Sequence, residues 1–188
     1  MSYGIDRDAA IDLLRSHIDN PNLVKHCLAS EAVMRALARR LGEDPEKWAL
    51  AGLLHDLDAE LTHDDFSAHG NRTAEILAEN GVDAEIIDAV RMHNEAASGR
   101  SRSTRFHHAL AAGETITGLV TATALVYPDK KLASVKPKSI TKRMKEKAFA
   151  ASVNRETIRE CEQIGIPLPE FAALALEAMR GISDDLGL

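Results

Sequence analysis

Apolar positions recur with helical spacing along nearly the whole chain. Ile5, Ala9, Leu13 and Ile18 suggest a short first helix that ends before Asn20-Pro21. Leu23, Cys27, Val33, Leu37 and Leu41 continue an amphipathic pattern, and Gly42 stops it. Asp44-Pro45 is a start signal: the Asp carboxylate can accept from free amides, and Pro in the first turn sacrifices no helical hydrogen bond. The next run, Trp48, Leu50, Ala51, Leu53 and Leu54, reads as a largely buried helix. Further helices are predicted over 68–79, ended by Asn80-Gly81, from Asp83 to about Asn94, and over 105–126. Gly99 and the RSRSTR stretch form a loop. Pro128 opens an irregular segment to Ser139, after which helices resume near Thr141, near Arg155 and from Glu170 onward. No run alternates with the period of a strand and no internal repeat is visible, so the expected fold is all-α.

The chain has 188 residues, 45% of them apolar and 28% charged, which suits one globular domain and argues against disorder. We expect a single domain over 1–188, with candidate site motifs in 20–120, a basic segment at 130–147 and C-terminal helices in 148–188. Two cysteines, Cys27 and Cys161, supply neither a disulfide framework nor a four-thiolate zinc site, which points to a reducing cytoplasm. The apolar stretch from Ala109 to Val126 is interrupted by Glu114 and threonines, so no membrane span is expected. The opening MSYGIDRDAAIDLL lacks the apolar core of a secretory signal. A net charge of −6 argues against a general nucleic-acid partner. Charge is nonetheless uneven: residues 130–147 hold eight Lys/Arg and one acid, Glu146. That block is either a solvated face or an anion-collecting rim beside a cleft.

The chemistry concentrates in Leu53-Leu54-His55-Asp56-Leu57-Asp58. A carboxylate at the end of a buried apolar helix is costly unless a cation or a hydrogen-bonding partner compensates it. His26 lies on the preceding helix, His69 opens the following one, His93 closes the next and Glu114 interrupts the apolar helix after that. Five consecutive helices therefore each offer a ligand-type residue or pair in an apolar neighbourhood. Helical bundles build metal sites from such inward side chains on facing helices.

This order, His26, His55-Asp56, His69, His93, Glu114, resembles the HD superfamily of metal-dependent phosphohydrolases. The local wording agrees: GLLHDLD at 52–58, SAHGNRTAEIL at 67–77, AVRMHNE at 89–95 and HALAAGETITGLV at 108–120. KAFAASVNRETI at 147–158 is similar to a small bacterial and archaeal HD subgroup. The last motif position is usually Asp, and here Glu114 stands there, one methylene longer.

The resemblance implies an HD-type helical bundle with a metal site between its central helices. His26, His55, Asp56 and Glu114 would hold a first divalent ion, and Asp56 would bridge to a second one completed by His69 and His93. Fe or Mn is the first expectation for such mixed imidazole and carboxylate ligands, with Mg, Co, Ni or Zn as alternatives. The implied reaction, of a phosphomonoesterase or a phosphodiesterase, is hydrolysis of a phosphate ester of a small molecule, a nucleotide among the candidates, by a metal-activated water. Asp56 and Asp58 are the candidate catalytic carboxylates. Asp58 shares a helical face with His55 and could orient an imidazole or accept a proton; its alternative is a solvent-facing helix-end acid. Arg72, Lys136 and Lys138 are candidate phosphate contacts.

Other histidines carry weaker readings. His17 reads as a surface residue, and His63 as a loop cap or a substitute for His69. His107, two turns before Glu114, could approach the cleft but is expected to pack or cap, with His108 beside it. Cys27 and Trp48 are read as core. Two alternatives to a hydrolase stay open at this point: a di-iron oxygenase on the same ligands, and a non-catalytic metal-containing binding or regulatory domain. The Gly-Lys signature of HD-GYP phosphodiesterases is absent after the His-Asp pair, where Asp58-Ala59-Glu60 stands, and no motif indicates a (p)ppGpp hydrolase. A monomer and a homo-oligomer are both allowed.

Overall fold

A computed structural model describes residues 3–188; Met1 and Ser2, at the head of the N-terminal stretch read above, lie outside the described residues. The described residues form α-helices joined by turns, with no strand among them. The helices are α1 (Arg7–His17), α2 (Pro21–Leu41), α3 (Pro45–Leu54), α4 (Asn71–Glu79), α5 (Ala84–His93), α6 (Glu95–Ser98), α7 (Arg105–Leu125), α8 (Pro137–Arg143), α9 (Arg155–Arg159), α10 (Leu168–Arg180) and α11 (Ser183–Leu186). Two 3-10 turns, Leu132–Ser134 and Glu160–Glu162, sit between the later helices. The all-α expectation holds.

Local sequence sets most boundaries. Asp44 accepts from the amides of Glu46 and Lys47 at the head of α3, Asp83 from Glu85 at the head of α5, and Asn154 from Glu156 and Thr157 at the head of α9. Gly42 ends α2 in the left-handed region, with φ 72°, where a side chain would be strained. The predicted helix over 68–79 starts later, at Asn71, because Gly70 takes φ 87° and Ala68 and His69 belong to the turn before it. The short helix α6 was not anticipated: it occupies the end of the segment read as running into the Gly99 loop.

α2, α3 and α7 form the centre. α3 is buried on every side from Trp48 to Leu54, as its composition requires. Its close approach to α2 depends on Gly52, where an added Cβ would stand 2.6 Å from the Ser30 carbonyl oxygen. α7 packs on α2 through Gly113, where a Cβ would meet Met34 Sδ at 2.8 Å. α5 packs on α7 and α4 on α5, so α2, α3, α5 and α7 surround one interior. The apolar cluster runs from Ala10 to Leu186 and includes Phe171 and Met179 of α10. No helix of the described residues is long and apolar enough to cross a membrane.

Candidate metal centre

α3 stops at Leu54, so His55 and Asp56 stand at the helix end and in the turn after it rather than inside the helix. His55 is buried, and its Nδ1–H donates to the Gly52 carbonyl at 2.8 Å. His26, from the middle of α2, sets its Nδ1 against Thr117 Oγ1 at 2.9 Å. That hydroxyl already donates to the Glu114 carbonyl at 2.6 Å, so it accepts from His26. His69 holds its Nδ1 at 2.8 Å from Asp58 Oδ1, and His93 holds its Nδ1 at 2.6 Å from the Val90 carbonyl. All four imidazoles are thus anchored through Nδ1 to an acceptor. All four turn Nε2 inward.

The inward nitrogens pair. His26 Nε2 lies 3.1 Å from His55 Nε2, and His69 Nε2 lies 3.0 Å from His93 Nε2. Asp56 sits between the pairs. Its Oδ2 is 3.6 Å from His26 Nε2, and its Oδ1 is 3.4, 3.3 and 3.5 Å from the Nε2 atoms of His55, His69 and His93. Glu114, reaching in from α7, brings Oε2 to 3.8 Å from His26 Nε2. The donor atoms fall into two groups, His26, His55 and Glu114, and Asp56, His69 and His93, each with its ligand atoms within 4.8 Å of one another. Two neighbouring ligands at right angles, each ~2.1 Å from one ion, lie ~3.0 Å apart. The imidazole pairs have that spacing, so the residues fit divalent ions.

The electrostatics point the same way. Burial pushes His55 down to about 3, so it is neutral, the form that ligates. Burial alone would raise Asp56, but the hydrogen bonds of His69 and His93 and the imidazole of His26 hold it well below the usual carboxylate range. Burial raises Glu114, which also accepts from the Thr115 hydroxyl. Burial disfavours charge on His69, yet the carboxylates Asp56 and Asp58 outweigh it and lift the group to about 10. A proton on His69 therefore balances the carboxylates where no cation does.

Asp58 is fully buried, not a solvent-facing helix-end acid. Besides His69, it accepts from the amides of Gly70 at 2.8 Å and Thr73 at 3.0 Å, so it caps α4 from a distance while fixing the imidazole. Gly70 serves two ends: its positive φ makes the turn, and an added Cβ would stand 3.0 Å from His93 Cε1.

The remaining candidates lie elsewhere. Arg72 is half exposed on α4 and pairs with Glu75 at 2.6 Å. Lys136 and Lys138 are exposed at the head of α8, and neither lines the cleft over the histidines. His107 is buried and meets Asp88 Oδ2 at 2.9 Å, His108 meets Glu160 Oε2 at 2.8 Å, and exposed His63 meets Asp64 at 3.0 Å. Cys27 and Trp48 are core.

A cleft of about 490 Å³ opens over the cluster. Its walls include residues that sequence reasoning missed: Phe66, Asn94, Glu95, Arg102, Thr115 and the stretch Ser152–Asn154 with Thr157. Arg102 is bound bidentately by Glu160, at 2.9 and 2.8 Å, and its Nη1 donates to the carbonyls of Met92 and His93. The motif stretches 89–95, 108–120 and 147–158 contain all of these wall residues except Phe66 and Arg102, without assigning them a role.

A helical bundle that collects four histidines and two carboxylates around one interior is a class of fold able to hold divalent metal ions. The chain belongs to the HD domain family, which matches residues 23–132. It is also similar to ribonuclease Y of Nitratidesulfovibrio vulgaris strain DP4, 34% identical over 74 residues, and to ribonuclease Y of Enterococcus faecalis, 32% identical over 73 residues. Each match covers 39% of this chain and 14% of the relative. No solved structure matches the chain significantly.

Proposed function

We propose that the protein is a two-ion phosphohydrolase that releases phosphate from an ester of a small molecule. The carrying observation is that four imidazoles from separate segments each present an inward Nε2 fixed by a bonded Nδ1, with Asp56 between the pairs. His26, His55 and Glu114 would hold one divalent ion, His69 and His93 the other, and Asp56 would contact both. Ions bound there would supply Lewis acidity toward a water and toward phosphate oxygens. Mixed nitrogen and oxygen donors without thiolate favour Fe or Mn, ahead of Mg, Co, Ni or Zn.

The chain's own residues supply position. Asp58 locks the His69 ring, and Thr117, Gly52 and Val90 lock the other three, so the donors need no reorganisation on loading. We assign residues 1–188 to one HD-type domain, since core side chains from Ala10 to Leu186 join one cluster. The similarity to ribonucleases supports phosphoester hydrolysis as the reaction class. The test is anaerobic purification with elemental analysis, then a phosphate-release screen over nucleotides and sugar phosphates. About two ions per chain with oxygen-independent release is the expected result. Two ions with turnover only in oxygen, or none at all, overturns it.

A further inference from the structure

The mouth of the cleft carries an aromatic ring left largely in solvent. Phe66 is 68% exposed, one of four large apolar side chains left in solvent among the described residues. It lies in the turn before α4, and Asn94 Nδ2 donates to its carbonyl at 2.9 Å, tying that turn to the cleft wall. Its ring stands near the His69 imidazole, centroids 5.4 Å apart and planes 29° from parallel. Leaving such a ring in water forgoes its burial energy, and a planar partner restores it.

The charges of the cleft narrow the partner further. Among the described residues Arg102 is the one Lys or Arg side chain on its wall, and its guanidinium is spent on Glu160 and two carbonyls. Beside it stands the carboxylate of Glu95. Apart from the ion site, nothing there would neutralise a second or third phosphate. The basic segment cannot supply that charge, because none of its residues lines the cleft.

We propose that Phe66 is a specificity residue that stacks on the leaving group, and that the substrate class is a single phosphate esterified to a group bearing a planar unsaturated ring. The proposal rests on the hydrolase reading above. The single phosphate meets the ions, the ring covers Phe66, and a polyphosphate chain would lay uncompensated charge along Glu95.

The test uses the Mn-loaded full chain, with Phe66→Ala and Phe66→Leu. Phenylphosphonate and methylphosphonate, which are not hydrolysed, are compared by calorimetry; phenyl phosphate, glycerol phosphate, adenosine monophosphate and adenosine triphosphate are compared in phosphate release. Wild type should bind the phenyl compound about tenfold more tightly than the methyl one, the size of one stacking contact. Both variants should erase that preference and raise KM for the ring-bearing esters alone, and adenosine triphosphate should be turned over far more slowly than the monophosphate. Release from every ester at rates indifferent to residue 66, or equal use of the triphosphate, overturns this inference and leaves the hydrolase reading intact. No release and no phosphonate binding overturns both.

Discussion

Asp58 Oδ1 holds His69 Nδ1 at 2.8 Å, and its other oxygen receives the amides of Gly70 and Thr73. One buried carboxylate thus fixes the imidazole, the turn and the head of α4 together. Asp58→Ala should lower metal affinity at the His69–His93 pair by 10–100-fold, the usual effect of losing an orienting partner. It should also cost stability, because two buried amides lose their acceptor, about 1–3 kcal/mol each. Metal titration and denaturant unfolding of the chelated protein read the two effects separately. Unchanged affinity would mean that the ring is held by other contacts.

Asp56 faces both imidazole pairs, whereas Glu114 groups with the His26–His55 pair. Asp56→Ala should therefore reduce binding of both ions, and Glu114→Ala should weaken one ion more than the other. Elemental analysis after gel filtration checks the stoichiometry, with far-ultraviolet dichroism to confirm that each variant is folded. Equal loss of both ions in Glu114→Ala would show that Glu114 is not confined to one group.

The proton on His69 makes the metal-free protein sensitive to pH. The group titrates near 6.5 in an unfolded chain and at about 10 in the folded one. The folded state thus binds that proton more tightly, and the stability it contributes is complete below pH 6.5 and lost as pH rises to about 10. In chelator, the difference in unfolding free energy between wild type and His69→Gln should shrink across that window. Mn should bind more tightly as pH rises through it, because the ion must displace the proton. A difference that is flat across the window would show that Asp56 and Asp58 do not hold the proton.

Gly70→Ala places a side chain at φ 87° and 3.0 Å from His93 Cε1. The backbone cost alone is at least about 1–2 kcal/mol. Displacement of His93 should also weaken one ion. Thermal unfolding with and without Mn measures both; a variant as stable as wild type in both conditions would show that the turn relaxes freely.

Lys136→Ala with Lys138→Ala tests the basic segment. Both side chains are exposed and away from the cleft, so KM for a small phosphate ester at low salt should stay within about twofold, as surface substitutions usually do. A several-fold rise would bring the segment back to the substrate.

The ligand-type residues were legible because each interrupts an apolar run: a polar group among leucines and alanines needs a partner, and five such interruptions in order suggested a shared one. Caps at Asp44 and Asp83 were equally legible, since they act within three residues. The role of Asp58 was only half visible. Spacing placed it on a face with His55 without saying which imidazole it would orient, and its actual partners, His69, Gly70 and Thr73, are joined to it by a turn that has no periodicity. The same reasoning hid Phe66 and Arg102, which lie in segments where hydrophobic spacing carries no information. Lysine density at 130–147 was plain, but composition does not say which way a face points. His107 shows packing outweighing helical register: two turns place it in line with Glu114, yet it packs, as expected, with its Nε2 against Asp88 on α5.

The clamp between Arg102 and Glu160 has a practical consequence for anyone cutting this molecule down. The family match stops at residue 132, but Glu160 and the Ser152–Thr157 wall lie beyond it. A minimal fragment trimmed to that boundary would keep every histidine of the cluster while stripping Arg102 of its counterion and opening one flank of the cavity to solvent.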